Sequence, residues 1–251
     1  MLIRANNQPQ PFPGLLFLAR LLMLFIYTYA ATASAAPLSS LTPFKAHYKA
    51  TFDMGLSVDG TATRELKRQP NDRWQFSQNA KAMIATVEEQ SDFSVVKQNV
   101  IPLRYNYLRK IFGKERHALL TFDWNKNQVT NNVQNKPWKL TIKPRTVDKL
   151  SYQIQLSQDL KHGKKDLQYQ IADGGKIKLY RFDIIGKEQL ETPLGTLETI
   201  KVRRIRSDGK KRETLIWFAQ SMNYMLVKLS QTDDKGKKFN LMIEQIETPN
   251  P

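Results

Sequence analysis

The sequence has no cysteine in its 251 residues. This absence excludes disulfide bonds, a cysteine nucleophile, thiolate metal ligands and the acylated cysteine that anchors a bacterial lipoprotein. A chain of this length can bury one sizeable core, so the fold is expected to rest on burial without covalent cross-links. We therefore predict a protein that carries no lipid anchor.

Histidine is scarce, and no two of His47, His117 and His162 have the spacing of metal ligands. Nucleophile-elbow, Ser-x-x-Lys, phosphate-loop and dinucleotide motifs are absent as well. We therefore predict no catalytic residue, no metal site and no cofactor, and an enzyme is the less favoured interpretation. Adjacent carboxylates such as Glu88 and Glu89 point to opposite faces of a strand, so a hydrolase would need carboxylates that converge from different strands.

The sequence has one long apolar run, which lies near the N-terminus. Residues 15–31 are largely apolar but are interrupted by Arg20, Arg4 precedes them, and Ala33-Ser34-Ala35 supplies the small side chains of a cleavage site. This pattern predicts a signal peptide over residues 1–35 and export to the periplasm. A transmembrane anchor is disfavoured because the run is shorter than the roughly 20 residues that span a bilayer.

The remainder divides into three predicted parts. Residues 36–43 contain proline and serine and are predicted to form a short leader. Residues 44–247 are predicted to form a single β-rich domain, since all-β folds of this length commonly do so, and residues 248–251 are predicted to be a tail. The sequence indicates no oligomeric state.

Positive charge greatly exceeds negative charge, with 39 Lys and Arg against 23 Asp and Glu, a formal net charge of +16. An exported protein rarely meets nucleic acid, so we predict no nucleic-acid partner. Lipid phosphates, anionic headgroups and acidic glycans are the anions of the cell envelope that such a surface would attract. The alternative interpretation is that the charge only maintains solubility.

Apolar and polar residues alternate along most of the chain, most clearly over residues 44–54. Turn signals such as Gln69-Pro70-Asn71-Asp72 and Asp173-Gly174-Gly175 separate the alternating segments. We therefore predict an all-β, mainly antiparallel meander. Roughly a dozen strands are too many for a flat sheet, so the sheet is expected to curl into a barrel or half-barrel.

One short helix is predicted near residues 147–161. Thr146 would cap its N-terminus, Asp148 would lie in its first turn, and Lys161 and His162 would lie at its last turn. A strand is the competing interpretation, because Tyr152, Ile154 and Leu156 also alternate.

Two sets of residues are candidates for binding. An open half-barrel would expose alternating aromatic side chains as an apolar concave face, whereas a closed barrel would bury them as core. A basic run crosses a predicted hairpin and would form a basic tip, or merely a solvated hairpin. The predicted ligand-binding residues are Tyr48, Phe52, Trp74, Phe76, Phe93, Tyr105 and Trp217, and the predicted anion-binding residues are Lys201, Arg203, Arg204, Arg206, Lys210, Lys211 and Arg212.

The second half of the chain resembles a known family. Residues 191–202 (ETPLGTLETIKV), 217–219 (WFA) and 224–229 (YMLVKL) are similar to the exported bacterial family catalogued as domain of unknown function 3108. The first strand and the predicted helix also fit its layout. The resemblance implies an exported β-rich fold with a curved antiparallel sheet, and it implies no catalytic or binding residue.

Three functional hypotheses follow. The first is a periplasmic, non-enzymatic binding or carrier protein for an amphipathic or anionic envelope component such as a lipid, with the aromatic residues around its chain and basic residues at its head. The second is a structural module that binds anionic envelope polymer through the basic surface. The third is a hydrolase of envelope glycans.

Overall fold

A computed structural model describes residues 41–53, 57–206 and 212–247. The predicted signal peptide, most of the predicted leader and the predicted tail lie outside these residues. Among the helices that are described, none is long and apolar enough to cross a bilayer.

In the described residues, fifteen strands form one sheet. The first eight strands are β1 (Phe44–Asp53), β2 (Ser57–Gln69), β3 (Arg73–Ala82), β4 (Ala85–Val96), β5 (Asn99–Ile111), β6 (Lys114–Asp123), β7 (Gln128–Val133) and β8 (Lys136–Thr141). The remaining elements are β9 (Val147–Asp148), helix α1 (Ser151–Lys161), β10 (Leu167–Asp173), β11 (Lys176–Thr192), β12 (Gly195–Ile205), β13 (Glu213–Ala219), a 3₁₀ turn (Gln220–Met222), β14 (Met225–Thr232) and β15 (Lys238–Glu247).

The sheet consists of two meanders that are joined by one pair of strands. The order is β8-β7-β6-β5-β4-β3-β2-β1-β15-β14-β13-β12-β11-β10-β9, so β1 and β15 meet in the middle of the sheet. All pairs are antiparallel except that of β9 with β10, which is parallel. The predicted all-β, mainly antiparallel meander is confirmed.

Along each strand, side chains point alternately to the two faces of the sheet, and one of these faces carries the core. On β1, Ala46, Tyr48 and Ala50 are at most 1% exposed, whereas Lys49 between them is exposed. We call the face that carries these buried side chains the inner face. Curling of the sheet turns this face inward, which allows strands distant in sequence to share one core.

The sheet is curled but not closed. Its edges are β8 and β9, which are not paired with each other in the described part of the chain. Near this gap, the indole ring of Trp138 on β8 lies directly against Gly175, in the turn that joins β10 to β11. The two ends of the sheet therefore meet through a side-chain contact and not through a hydrogen-bonded ladder.

Replacing Gly175 with alanine tests this contact. A Cβ atom at Gly175 would collide with the ring of Trp138, whereas nothing lies within 4 Å of a Cβ at Gly174. Both glycines have positive φ angles, +89° and +56°, so both substitutions carry a backbone cost. We expect Gly175→Ala to lower the free energy of unfolding by about 1–3 kcal/mol more than Gly174→Ala does in urea titrations. Equal losses would contradict the packing of Trp138 on this turn.

The single predicted helix is confirmed, but its start is not. Helix α1 begins at Ser151, and Thr146 instead bonds through its hydroxyl to the backbone of Lys143. The Asp148 carboxylate accepts from the backbone N–H groups of Leu150 and Ser151, both at 2.8 Å. Asp148 therefore satisfies the N-terminal amides, and Thr146 is not the cap.

Helix α1 lies across the inner face and is tied to several strands. Gln155 Oε1 accepts from the backbone N–H of Val100 on β5 at 2.7 Å. On the other side, the hydroxyl of Ser157 donates to the carbonyl of Tyr224 at 2.7 Å, just before β14. These bonds hold the helix between the two halves of the sheet.

Candidate ligand-binding cavity

A cavity of about 380 Å³ lies between helix α1, strands β1–β3 and the connection from β13 to β14. Its volume falls in the range of small-molecule sites, roughly 300–1,000 Å³. On the helix side, Ile154 and Ser157 line the cavity.

The inner wall of the cavity is apolar. Tyr48, Leu66, Phe76 and Leu226 contribute to it, and each is at most 5% exposed. The hydroxyl of Tyr48 donates to the carbonyl of Leu226 at 2.7 Å, so it is already satisfied and the ring faces the cavity as an apolar surface. Such a wall favours contact with a hydrocarbon group.

The outer end of the cavity opens to solvent. The lining residues at this end include Thr42 and Ser221, which are exposed, and Met222 and Glu247, which are half-buried. Asn223 Nδ2 donates to Thr42 Oγ1 at 3.2 Å, which links the segment before β1 to the β13–β14 connection. The site therefore has a buried end and an open mouth.

At the buried end lies Arg64, which is 3% exposed. One of its terminal N–H groups donates to Gln153 Oε1 at 2.5 Å, and its guanidinium lies 5.0 Å from the ring centre of Phe76. Its Nε is buried and has no hydrogen-bond partner. Among the described residues, no carboxylate lies within ion-pairing distance of this guanidinium.

The environment of Arg64 is unfavourable for its charge. Burial lowers the pKa of Arg64 below the usual value for arginine, although interactions with Tyr48, Tyr152 and Glu89 partly oppose the shift. Arginine nonetheless keeps its charge in proteins. A buried charge without a counterion is costly, so an anion that enters the cavity would gain a strong and poorly solvated ligand.

Glu247 is the one acidic side chain among the described residues that line the cavity. It lies at the mouth and pairs with Lys45 at 2.8 Å and with His47 at 2.6 Å. These bonds lower the pKa of Glu247, the hydrogen bond from Lys45 contributing most. The described residues that line the cavity therefore supply one carboxylate and not the pair that glycoside hydrolysis needs.

The predicted aromatic residues divide among four places. Tyr48 and Phe76 line the cavity, and Phe52 packs against Phe239 with ring centres 4.8 Å apart. The core contains Trp74, Phe93 and Tyr105, which are at most 3% exposed.

Trp217 lies on the opposite face of the sheet from the helix. Its indole N–H donates to Glu188, and the ammonium groups of Lys201 and Lys228 lie 4.8 Å and 4.7 Å from its ring. The aromatic pattern thus identified two cavity residues, while most of the set fills other parts of the molecule.

The predicted basic residues do not form one described patch. Lys201 pairs with Glu188 at 3.0 Å, and the guanidinium of Arg204 stacks 3.2 Å from the ring centre of Tyr180. Of the remaining residues, Arg203 and Arg212 are exposed and Arg206 is half-buried. Lys210 and Lys211 lie outside the described residues.

Arg64 is the residue that the sequence analysis missed. It follows Ala62 and precedes Leu66 on the inner face of β2, so it takes an apolar place in a period-two pattern. A charged residue at such a place is a recognisable signal of a buried polar function. In the described residues, no group of three or more His, Asp or Glu side chains is arranged to hold a metal ion.

Comparison with protein families matches residues 44–244 to the family described as Protein of unknown function (DUF3108). The match includes β1, helix α1 and nearly all of the sheet. The chain belongs to the DUF3108 family. The resemblance predicted from the residues of the second half is therefore confirmed. No curated protein matches this DUF3108 sequence.

Comparison of this DUF3108 protein with solved structures gives matches of different strength. A β-barrel-like protein of domain of unknown function DUF1849 from Brucella abortus has a TM-score of 0.57 at 9% identity, over 84% of this chain and 99% of that chain. A putative outer membrane lipoprotein-sorting protein domain from Vibrio parahaemolyticus has a TM-score of 0.25 at 9% identity, over 83% and 86% of the two chains. The first similarity indicates a common barrel-like architecture, and the second is too low to indicate a common fold.

Proposed function

We propose that this DUF3108 protein is a non-enzymatic carrier that binds an amphipathic anion with one hydrocarbon chain, such as a fatty acid. The single observation that carries the proposal is the guanidinium of Arg64, which lies at the buried end of an apolar cavity and pairs with no carboxylate among the described residues. The volume of about 380 Å³ is at the small end for ligand sites, which favours one chain over a large lipid. The predicted export would place this carrier in the periplasm.

The depth of Arg64 sets the direction of the ligand. Because the guanidinium is at the buried end, the acidic head would enter first and accept hydrogen bonds from Arg64. The chain would then lie along Leu66 and Leu226 towards Met222 at the mouth. Desolvation of the head is offset by the charge-assisted bonds that it gains.

Blocking the mouth tests whether the cavity is the site. We expect Met222→Trp to weaken binding of palmitate to the delipidated protein about tenfold, because the larger side chain occupies the entrance. Titration calorimetry and native mass spectrometry measure this loss.

Met242→Trp is the matched control. Met242 is also a half-buried methionine, but it pairs with Lys49 and Lys228 on the outer face of the sheet. The control should bind palmitate like the wild-type protein. The proposed function would be overturned if the wild-type protein bound neither palmitate nor a lysophospholipid.

A further inference from the structure

Two neighbouring hairpin turns expose large apolar side chains. Met83, in the turn between β3 and β4, is 87% exposed, and Phe112, in the turn between β5 and β6, is 73% exposed. The backbone N–H of Phe112 donates to the carbonyl of Ile84 at 3.1 Å, so the two turns are held side by side. We call residues 82–85 and 111–113 together the hairpin tip.

The backbone conformation at position 112 does not favour a phenylalanine there. Phe112 has a φ angle of +47° and is followed by Gly113 at +76°. Two-residue turns of this kind favour Asn-Gly, because a large side chain is strained at positive φ. Phe112 therefore neither fills the core nor suits the turn, and a role in contact outside the chain accounts for it.

Basic side chains surround the hairpin tip. Lys81, Lys114 and Arg116 are exposed beside it, and the nearby Lys110 is paired with Glu115 at 2.6 Å. Apolar side chains bordered by exposed cations are complementary to a surface that offers anionic groups above a hydrocarbon layer. If the hairpin tips of two copies of the chain docked together, the basic side chains around them would repel each other.

We propose that the hairpin tip inserts Met83 and Phe112 into an anionic lipid bilayer. The hairpin tip and the cavity mouth lie at opposite ends of the strands. Phe44, which lines the cavity, begins β1. Ala82 of the hairpin tip pairs with Gly60, and Gly60 pairs with Ala50 further along β1. Docking would therefore leave the mouth directed away from the bilayer. This proposal does not depend on the proposed ligand.

The test measures flotation of the full chain, without the predicted signal peptide, together with vesicles of equal parts phosphatidylglycerol and phosphatidylcholine. The variant is Met83→Ser with Phe112→Asn, in which asparagine suits the positive φ angle and preserves the turn. We expect its affinity for these vesicles to fall roughly tenfold, since partial burial of two apolar side chains is lost. The control is Val96→Ser, which removes an apolar side chain that is 54% exposed at the opposite end of β4 and should leave binding unchanged.

A second measurement reports insertion directly. The emission of Phe112→Trp should shift to the blue when vesicles are added, and that of Val96→Trp should not. Equal binding by the double variant and the wild-type protein would overturn the proposal. Equal affinity for pure phosphatidylcholine would overturn it too, as would association of the chain with itself that depends on Met83 and Phe112.

Discussion

Replacing Arg64 with methionine is expected to weaken palmitate binding about 10- to 100-fold and to change the free energy of unfolding by less than about 1 kcal/mol. The loss of affinity follows from removal of the charged donor that the carboxylate would meet. The variant should also lose the preference for palmitate over hexadecanol, because hexadecanol has the same chain length and no charge.

The small effect on stability has a physical reason. Arg64 donates to Gln153, and that bond is lost in the variant. In return, the variant no longer buries a charge that lacks a carboxylate partner among the described residues, and methionine keeps an apolar stem against Phe76. Removal of one partner from a buried ion pair would by contrast cost about 3–5 kcal/mol.

Arg73→Met is the control, because Arg73 is exposed at the start of β3. Calorimetry with palmitate and hexadecanol, together with urea unfolding of the same samples, separates the two effects. Wild-type palmitate affinity in a clearly destabilised Arg64→Met variant would show that Arg64 is only structural. That result would contradict the proposed orientation of the ligand.

Replacing Asp148 with alanine is expected to lower the free energy of unfolding by about 3 kcal/mol. Asp148 is fully buried and accepts four hydrogen bonds: from the N–H groups of Leu150 and Ser151, from the hydroxyl of Ser151 at 2.8 Å, and from the hydroxyl of Ser91 at 2.6 Å. Alanine would leave these buried donors without an acceptor and would detach the start of helix α1 from β4.

Two controls sharpen this prediction. Asp148→Asn keeps one acceptor oxygen and should lose less stability than alanine. Asp123→Ala removes a bond to the backbone N–H of Lys126 at the surface and should cost no more than about 1 kcal/mol. A loss for Asp148→Ala no larger than that for Asp123→Ala in urea titrations would refute the anchoring role.

The pH dependence of this site has a definite sign. Burial raises the pKa of Asp148 above its ordinary value, although the bonds from Ser151, Ser91 and Leu150 oppose the shift. The folded state then binds the proton more tightly than the unfolded state, so this contribution is greatest below the ordinary pKa and declines as pH rises through the folded value. The stability advantage of aspartate over asparagine should therefore shrink between acidic and neutral pH.

The difference between Asp148 and Thr146 shows where prediction from sequence ends. Both residues are ordinary N-terminal caps, and the local pattern favoured the earlier position. The structure uses Val147 and Asp148 to pair with β10, so the helix starts only after that bridge. The pairing is a long-range contact that no local pattern contains.

The cavity illustrates the same limit at the level of the site. Period-two alternation predicted that Tyr48 and Phe76 face inward, because side-chain direction along a strand is a local property. It did not distinguish them from Trp74 and Phe93, which face inward as well and are covered by other parts of the core. Which inward residues border empty space depends on where helix α1 lies.

The sequence by itself determined the strands, the turns, the presence of one helix and the family, since these follow from local alternation, turn chemistry and matching residues. The tertiary structure decided the meeting of β1 with β15, the place of the helix and the burial of Arg64 beside an apolar opening. These features depend on how distant segments share one core. The free energy that stabilises these features comes from contacts between distant segments and not from the local sequence of any one segment.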